Sequence, residues 1–338
     1  MCSGGVPQRG LAGNNAGVML ARNEETKMRA VLAAVLFLAL AAPAPSLAET
    51  SGFPAPKAAA AREKLLVSTD WLAGRLKDPD LVVLHVGDKA GYDAGHVPGA
   101  RLVTLGDISA PPAAKDPLIL EMPDPEALRA KLQALGVSDR SRIVVYPTRD
   151  IQSATRVVFV LDAAGLGART SLLNGGLAAW TKEGRALETA AAAPAPGRLP
   201  PLKMRPIVVD ADFVKTHARA KGYVLVDART PEFYAGERAG GPAAKPHKTG
   251  HIAGAKSVPL TTVTTPDARL ASPEEIAARF KAAGVKPGDK VIAYCHVGQQ
   301  ATATIFAART LGLDVLLYDG SFEDWSRRDG AVETGPGE

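Results

Sequence analysis

The sequence contains two cysteines, Cys2 and Cys295. Only the surroundings of Cys295 suggest chemistry. The apolar run Val291-Ile292-Ala293-Tyr294 stops at it, and the short stretch His296-Val297-Gly298 follows. Residues 301–311 then read as a helix that stops at Gly312. That order puts the thiol at the carboxyl end of a strand, just before a helix N-terminus, where ligands bind in open α/β sheets. Free N–H groups and the helix dipole favour an anion there. A thiol with an ordinary pKa of about 8.5 is therefore expected to be partly ionised near neutral pH, and a thiolate so placed is a nucleophile. The same residues also allow a buried cysteine with only a packing role. The six histidines are scattered and show no metal-ligand spacing with the cysteine. The sequence therefore predicts neither a metal nor a cofactor.

The elements that must position this loop occur twice. In the first half, Leu81-Val82-Val83-Leu84-His85-Val86 reads as a buried strand and 91–100 as a glycine-punctuated loop. A helix over 125–135 ends at Gly136, and Arg142-Ile143-Val144-Val145-Tyr146 is a second strand. A helix over 153–164 ends at Gly165, and a strand and turn over 171–176 precede Trp180. In the second half, Tyr223-Val224-Leu225-Val226-Asp227 matches the first strand, and Gly250-His251-Ile252-Ala253-Gly254-Ala255 matches 95–100. The helix over 273–283, the strand 291–294, and Leu316-Leu317-Tyr318-Asp319-Gly320 with Trp325 complete the repeat. The alternation predicts two similar α/β domains, each a small parallel sheet flanked by helices. The halves differ where chemistry would sit. Cys295 corresponds to Pro147, and Asp227 and Arg229 correspond to His85 and Gly87. The second half also carries extra sequence between Asp227 and His251, including Arg238, Lys245, His247 and Lys248. The first half reads as a scaffold and the second as the working domain.

A length of 338 residues is enough for two cores. The net charge of +5, without a Lys/Arg run, argues against a nucleic-acid partner. Met28-Arg29, the apolar run over 30–42 and Ser46-Leu47-Ala48 follow the order of a cleavable signal peptide. The run is shorter than the roughly 20 residues of a spanning helix, so no stable membrane anchor is expected after processing. These signals divide the chain into five parts. Residues 1–48 are leader and signal peptide, with the true start at Met28, and 49–64 are a mobile Ala/Pro-rich lead-in. Residues 65–188 are a non-catalytic domain, 189–205 a semi-rigid linker and 206–334 the catalytic domain. The product is expected in a bacterial periplasm. Cleavage removes Cys2, so Cys295 is left without a disulfide partner.

The Gly-His-x-x-Gly-Ala loops, Asp227-Ala228-Arg229, the Cys295 loop and Asp319-Gly320-Ser321-Phe322-Glu323-Asp324-Trp325 together resemble the tandem rhodanese-domain sulfurtransferases. The likeness spans about residues 65–334. It implies two rhodanese-like domains. It also implies a sulfurtransferase of the thiosulfate or 3-mercaptopyruvate type that carries sulfur as a Cys295 persulfide. The donor would be a small anion, and the acceptor cyanide or a thiol. The resemblance assigns donor binding to the loop residues His296, Val297, Gly298, Gln299 and Gln300, together with Arg229. Their backbone N–H groups could curl around the sulfur as an anion nest, with Gly298 allowing the tight turn. On its own chemistry, Arg229 also reads as the partner of a carboxylate, Asp227 or Glu232. His96 and His251 read as groups that lock their loops, because both halves have one.

The chain departs from the family in two places. Thiosulfate-type members usually carry a basic residue after the cysteine and mercaptopyruvate-type members a glycine; here His296 and Val297 follow. Those members also tend to have an Arg where this chain has Phe233. Two other functions compete. A cysteine phosphatase of the same fold needs an Arg beyond the loop, but this chain has Gln299-Gln300-Ala301-Thr302 there. A non-turnover sulfur carrier or binding module would use the same cysteine.

Overall fold

The computed structural model describes Phe53 and residues 55–336, apart from 114, 116, 244 and 329. The expected leader and signal peptide over 1–48 lie outside the described residues, which all fall in one compact unit.

Each half builds a five-stranded sheet. The first contains β1 (Leu66–Val67), β2 (Leu81–Val86), β3 (Arg101–Val103), β4 (Arg142–Pro147) and β5 (Thr170–Leu173), in spatial order β1-β5-β4-β2-β3. The second contains β6 (Val208–Val209), β7 (Tyr223–Asp227) and, after the short β8 (His251–Ile252), β9 (Lys256–Ser257), β10 (Lys290–Tyr294) and β11 (Asp314–Tyr318). Its order, β6-β11-β10-β7-β9, repeats that of the first. All pairings within these two sheets are parallel, and β8 pairs antiparallel with β12 (Val332–Glu333). The central strands read as unbroken apolar runs because helices cover both faces, and all of β2 is buried.

The longer helices are α1 (Ala55–Leu65), α2 (Pro125–Ala134), α3 (Ile151–Ala163), α4 (Pro273–Ala282) and α5 (Gln299–Thr310), with the short α6 (Ser321–Arg327) near the C-terminus. Helices α3 and α5 hold equivalent places in the two halves and pack on one another. That contact explains why almost every residue of each is buried: the sheet covers one side and the other half covers the opposite one. The seam joins like to like. Thr155 Oγ1 lies 3.1 Å from Thr302 Oγ1, and Arg309 lies 3.3 Å from Asp162.

The repeat extends to single hydrogen bonds. Tyr92 stacks on His96, and Tyr234 on His251, each pair with ring centroids 3.7 Å apart. In each half the histidine Nδ1 bonds its tyrosine's carbonyl at 2.8 Å. The tyrosine hydroxyls close the loops on Ala100 O (2.7 Å) and Ala255 O (2.8 Å). Both histidines are thus taken up in holding their loops, as the sequence suggests.

The expected mobile lead-in is different in the structure. Part of it, Ala55–Leu65, is helix α1, which packs against α5. Composition explains this: no proline lies between Pro56 and Leu65, and Ala58-Ala59-Ala60-Ala61 is a strong helix-forming run. The linker over 189–205 has no helix or strand, but it is docked through buried Leu199, whose carbonyl accepts from Arg129 at 3.2 Å.

Candidate active site

Strand β10 ends at Tyr294 and α5 begins at Gln299, so Cys295 to Gly298 make the whole connection. Gly298 caps α5 with φ 78°, the left-handed region that favours glycine. The turn also needs a bare Cα, because a Cβ there would lie 2.8 Å from Asp319 O. This turn directs the backbone N–H groups of Val297, Gly298, Gln300 and Ala301 at the Cys295 sulfur. Four donors around one atom form an anion nest at a helix N-terminus.

The sulfur itself is fully buried. Burial pushes the Cys295 thiol up, the four N–H groups push it down, and burial wins. The partial ionisation expected near neutral pH is thereby reversed. Removing water from around a thiolate costs more than these donors return. The nearby guanidinium is paired with a carboxylate.

That guanidinium is Arg229. It is buried with Asp227 in a bidentate pair at 2.6 and 3.0 Å, donates to Gly250 O at 2.7 Å, and stacks on Phe322 at 3.9 Å. At 1 % exposure, with Nε and Nη2 bonded to Asp227 and Gly250 O, it forms the buried carboxylate pair that its own chemistry suggests.

His296, Val297, Gln299 and Gln300 remain partly exposed around the buried sulfur. His296 packs edge-on to Phe233 at 4.5 Å, and its ring is 6.0 Å from that of His247. Burial, then Arg229, lower its pKa to about 4, so the imidazole is neutral at physiological pH. His247 is lowered too, again mainly by burial. Arg238 stacks over Phe233 at 4.9 Å. The Lys248 ammonium caps the end of α6 through Arg328 O (2.8 Å) and Gly330 O (2.9 Å).

Residues 68–183 and 210–328 each match the rhodanese-like domain. The chain belongs to the rhodanese family. The probable 3-mercaptopyruvate sulfurtransferase of Pseudomonas aeruginosa is 33% identical over 273 residues, covering 77% of this chain and 94% of its own. The sulfur carrier protein TtuD of Thermus thermophilus is 31% identical over 276 residues, covering 78% and 94%. The thiosulfate sulfurtransferase of Rattus norvegicus is 32% identical over 281 residues, covering 78% and 93%. The wild-type structure of EanB shares the fold, with TM-score 0.70 and 24% identity over 81% of this chain and 70% of that one. This rhodanese is a sulfurtransferase with two tandem domains.

Several residues around the loop carry no chemical signature in the sequence. Ser321 adopts φ 52° and accepts from Cys295 N at 3.3 Å, while Phe322 N and Glu323 N hold the carbonyls of Cys295 and His296, each at 2.9 Å. The sulfur loop is thus clamped between the starts of α5 and α6. The first half adds Arg156, fully buried on α3, which reaches Asp319 at 2.7 Å and also bonds Leu120 O. Met122 N takes the other Asp319 oxygen at 2.7 Å. One signal for Arg156 was available: it interrupts an apolar helix at the position where the second half has Ala303.

Proposed function

We propose that this rhodanese moves a sulfane sulfur from a small anionic donor, thiosulfate or 3-mercaptopyruvate, through a Cys295 persulfide to cyanide or a thiol. The carrying observation is the set of backbone N–H groups converging on a buried sulfur. In the first step the Cys295 thiolate attacks the donor's outer sulfur. With thiosulfate the S–S bond breaks and sulfite leaves with the electron pair. With 3-mercaptopyruvate the C–S bond breaks, and the departing carbanion takes a proton to give pyruvate. In the second step the acceptor attacks the outer persulfide sulfur and the Cys295 thiolate is restored. The N–H groups stabilise the thiolate at both ends of the cycle. Export to a periplasm through the leader over 1–48 is part of the proposal, supported by the order of basic, apolar and small residues.

The test is intact-mass spectrometry with each donor in turn. Donor alone should add one sulfur to the wild-type protein, cyanide should remove it, and Cys295→Ala should stay unloaded. Sulfur transfer surviving in Cys295→Ala would end the reading. A sulfur carrier is the second reading, supported by the likeness to TtuD. A carrier would load and discharge once without steady-state turnover.

A further inference from the structure

A cleft of about 590 Å³ opens between the two halves, with the ends of β1 and β5 on one side and Ala277 and Leu311 on the other. Its size suits a small molecule, and the carboxyl ends of parallel strands are where such molecules bind. The repeat differs there. Ala277 on α4 holds the place that Arg129 holds on α2, four residues after the helix's first proline. Arg129 crosses its groove to Leu199 O, and Leu199 is buried beneath it. Ala277 is too short to cross, and the groove it faces stays open.

The floor of the cleft is apolar, with Phe53, Leu66, Ala277 and Leu311. The polar lining holds two bases, Arg62 and Arg269, the latter paired with Asp267 at 3.0 Å, and three acids, Glu63, Asp70 and Glu183. Arg62 Nη1 is buried without a hydrogen-bond partner, and its Nη2 reaches only Ala271 O, at 3.4 Å. Asn174 Oδ1 is likewise buried and unpartnered. The guanidinium of Arg269 lies beside Gly175, next to Asn174. Two of the lining acids are already engaged: Glu183 accepts from Thr69 and Arg185, and Asp70 pairs with Arg185. Glu274 acts on Arg62 only through its field, with no ion pair between them among the described residues. A buried orphan donor costs about 1–3 kcal/mol, and more when charged, so native structures rarely leave one without a partner.

We infer that this cleft binds an apolar α-amino acid. Its carboxylate would meet Arg62, its ammonium would donate to Asn174 Oδ1, and its side chain would lie on the apolar floor. The site is separate from Cys295 and stands whether or not the proposed sulfur transfer does.

Calorimetric titration of the purified protein with L-phenylalanine tests it, alongside 3-phenylpropanoate, which lacks the amine, and phenethylamine, which lacks the carboxylate. L-phenylalanine should saturate, 3-phenylpropanoate should bind more weakly, and phenethylamine should not bind. Arg62→Met should weaken L-phenylalanine by about tenfold or more, the loss of one charged hydrogen bond. Ala277→Met, which fills the floor and leaves Arg62 in place, should weaken it as well. Thermal unfolding and sulfur loading at Cys295 should match wild type in both variants, which checks the fold. No saturable binding of L-phenylalanine, or binding unchanged in both variants, would overturn the site. Equal binding of 3-phenylpropanoate would overturn the role of Asn174, and binding of phenethylamine would overturn that of Arg62.

Discussion

Two opposing effects act on the sulfur of Cys295. Burial disfavours the thiolate and four backbone N–H groups favour it, with the net direction upward. The rate of alkylation by iodoacetamide should therefore rise with pH through a midpoint above the ordinary thiol value of about 8.5. Below the midpoint the thiolate fraction falls about tenfold per pH unit, so reaction at pH 6 should be very slow. A midpoint below neutrality would mean that the nest outweighs burial. Gly298 carries the nest's tightest turn, with φ 78° and no room for a Cβ against Asp319 O. Gly298→Val should lower persulfide loading by about a hundredfold or more, the scale of losing one oriented anion donor. Stopped-flow loading with thiosulfate, set beside thermal unfolding, would separate this from global destabilisation. A wild-type rate would show that the turn tolerates a side chain.

Among the elements, the sulfur loop is braced from outside its own half. Arg156 on α3 and Asp319 at the end of β11 are both almost wholly buried. Breaking such a pair by removing one partner leaves an uncompensated charge, at a cost of about 3–5 kcal/mol. Arg156→Met should lower the unfolding free energy in urea by roughly that amount. The double variant Arg156→Met, Asp319→Asn should recover much of the loss, because no bare carboxylate remains. If the double variant is no more stable than the single one, the ion pair is not what Arg156 contributes.

Across the molecule, two domains of equivalent topology differ at the position of the thiol. In the first half Pro147 stands in the place of Cys295, with neither a nucleophile nor an N–H. The loop after it still has a local role, because Asp150 caps α3 through Ser153 N at 3.1 Å and Ser153 Oγ at 2.7 Å. Asp150→Ala should thus cost about 1 kcal/mol of stability, typical of a lost N-cap. Sulfur transfer should stay within a few-fold of wild type. Arg149→Ala, at an exposed position, should change neither. Loss of turnover in a fully folded Asp150→Ala or Arg149→Ala protein would place this loop in the chemistry.

The repeat, the parallel sheets and the position of Cys295 between a strand and a helix are all legible in the amino-acid order. They follow from apolar runs, glycines and helix stops that lie within a dozen residues of one another, so local pattern suffices. The pairing of Arg229 with a carboxylate was open between Asp227 and Glu232, and only burial chose Asp227. The ionisation of Cys295 went against the local signal. Strand–loop–helix order reveals the N–H groups but not the layers that exclude water. Helix α1, read from its prolines and alanines as a mobile lead-in, has the alanine run for a helix, but its docking on α5 involves a distant part of the chain that no local pattern shows. The bonds of Arg156, Ser321 and the Lys248 ammonium were not legible, because each joins residues far apart in sequence. Arg156 reaches Asp319 across the seam between the halves, while Ser321 and Lys248 find their partners within the second half, and such partners exist only once the chain has folded.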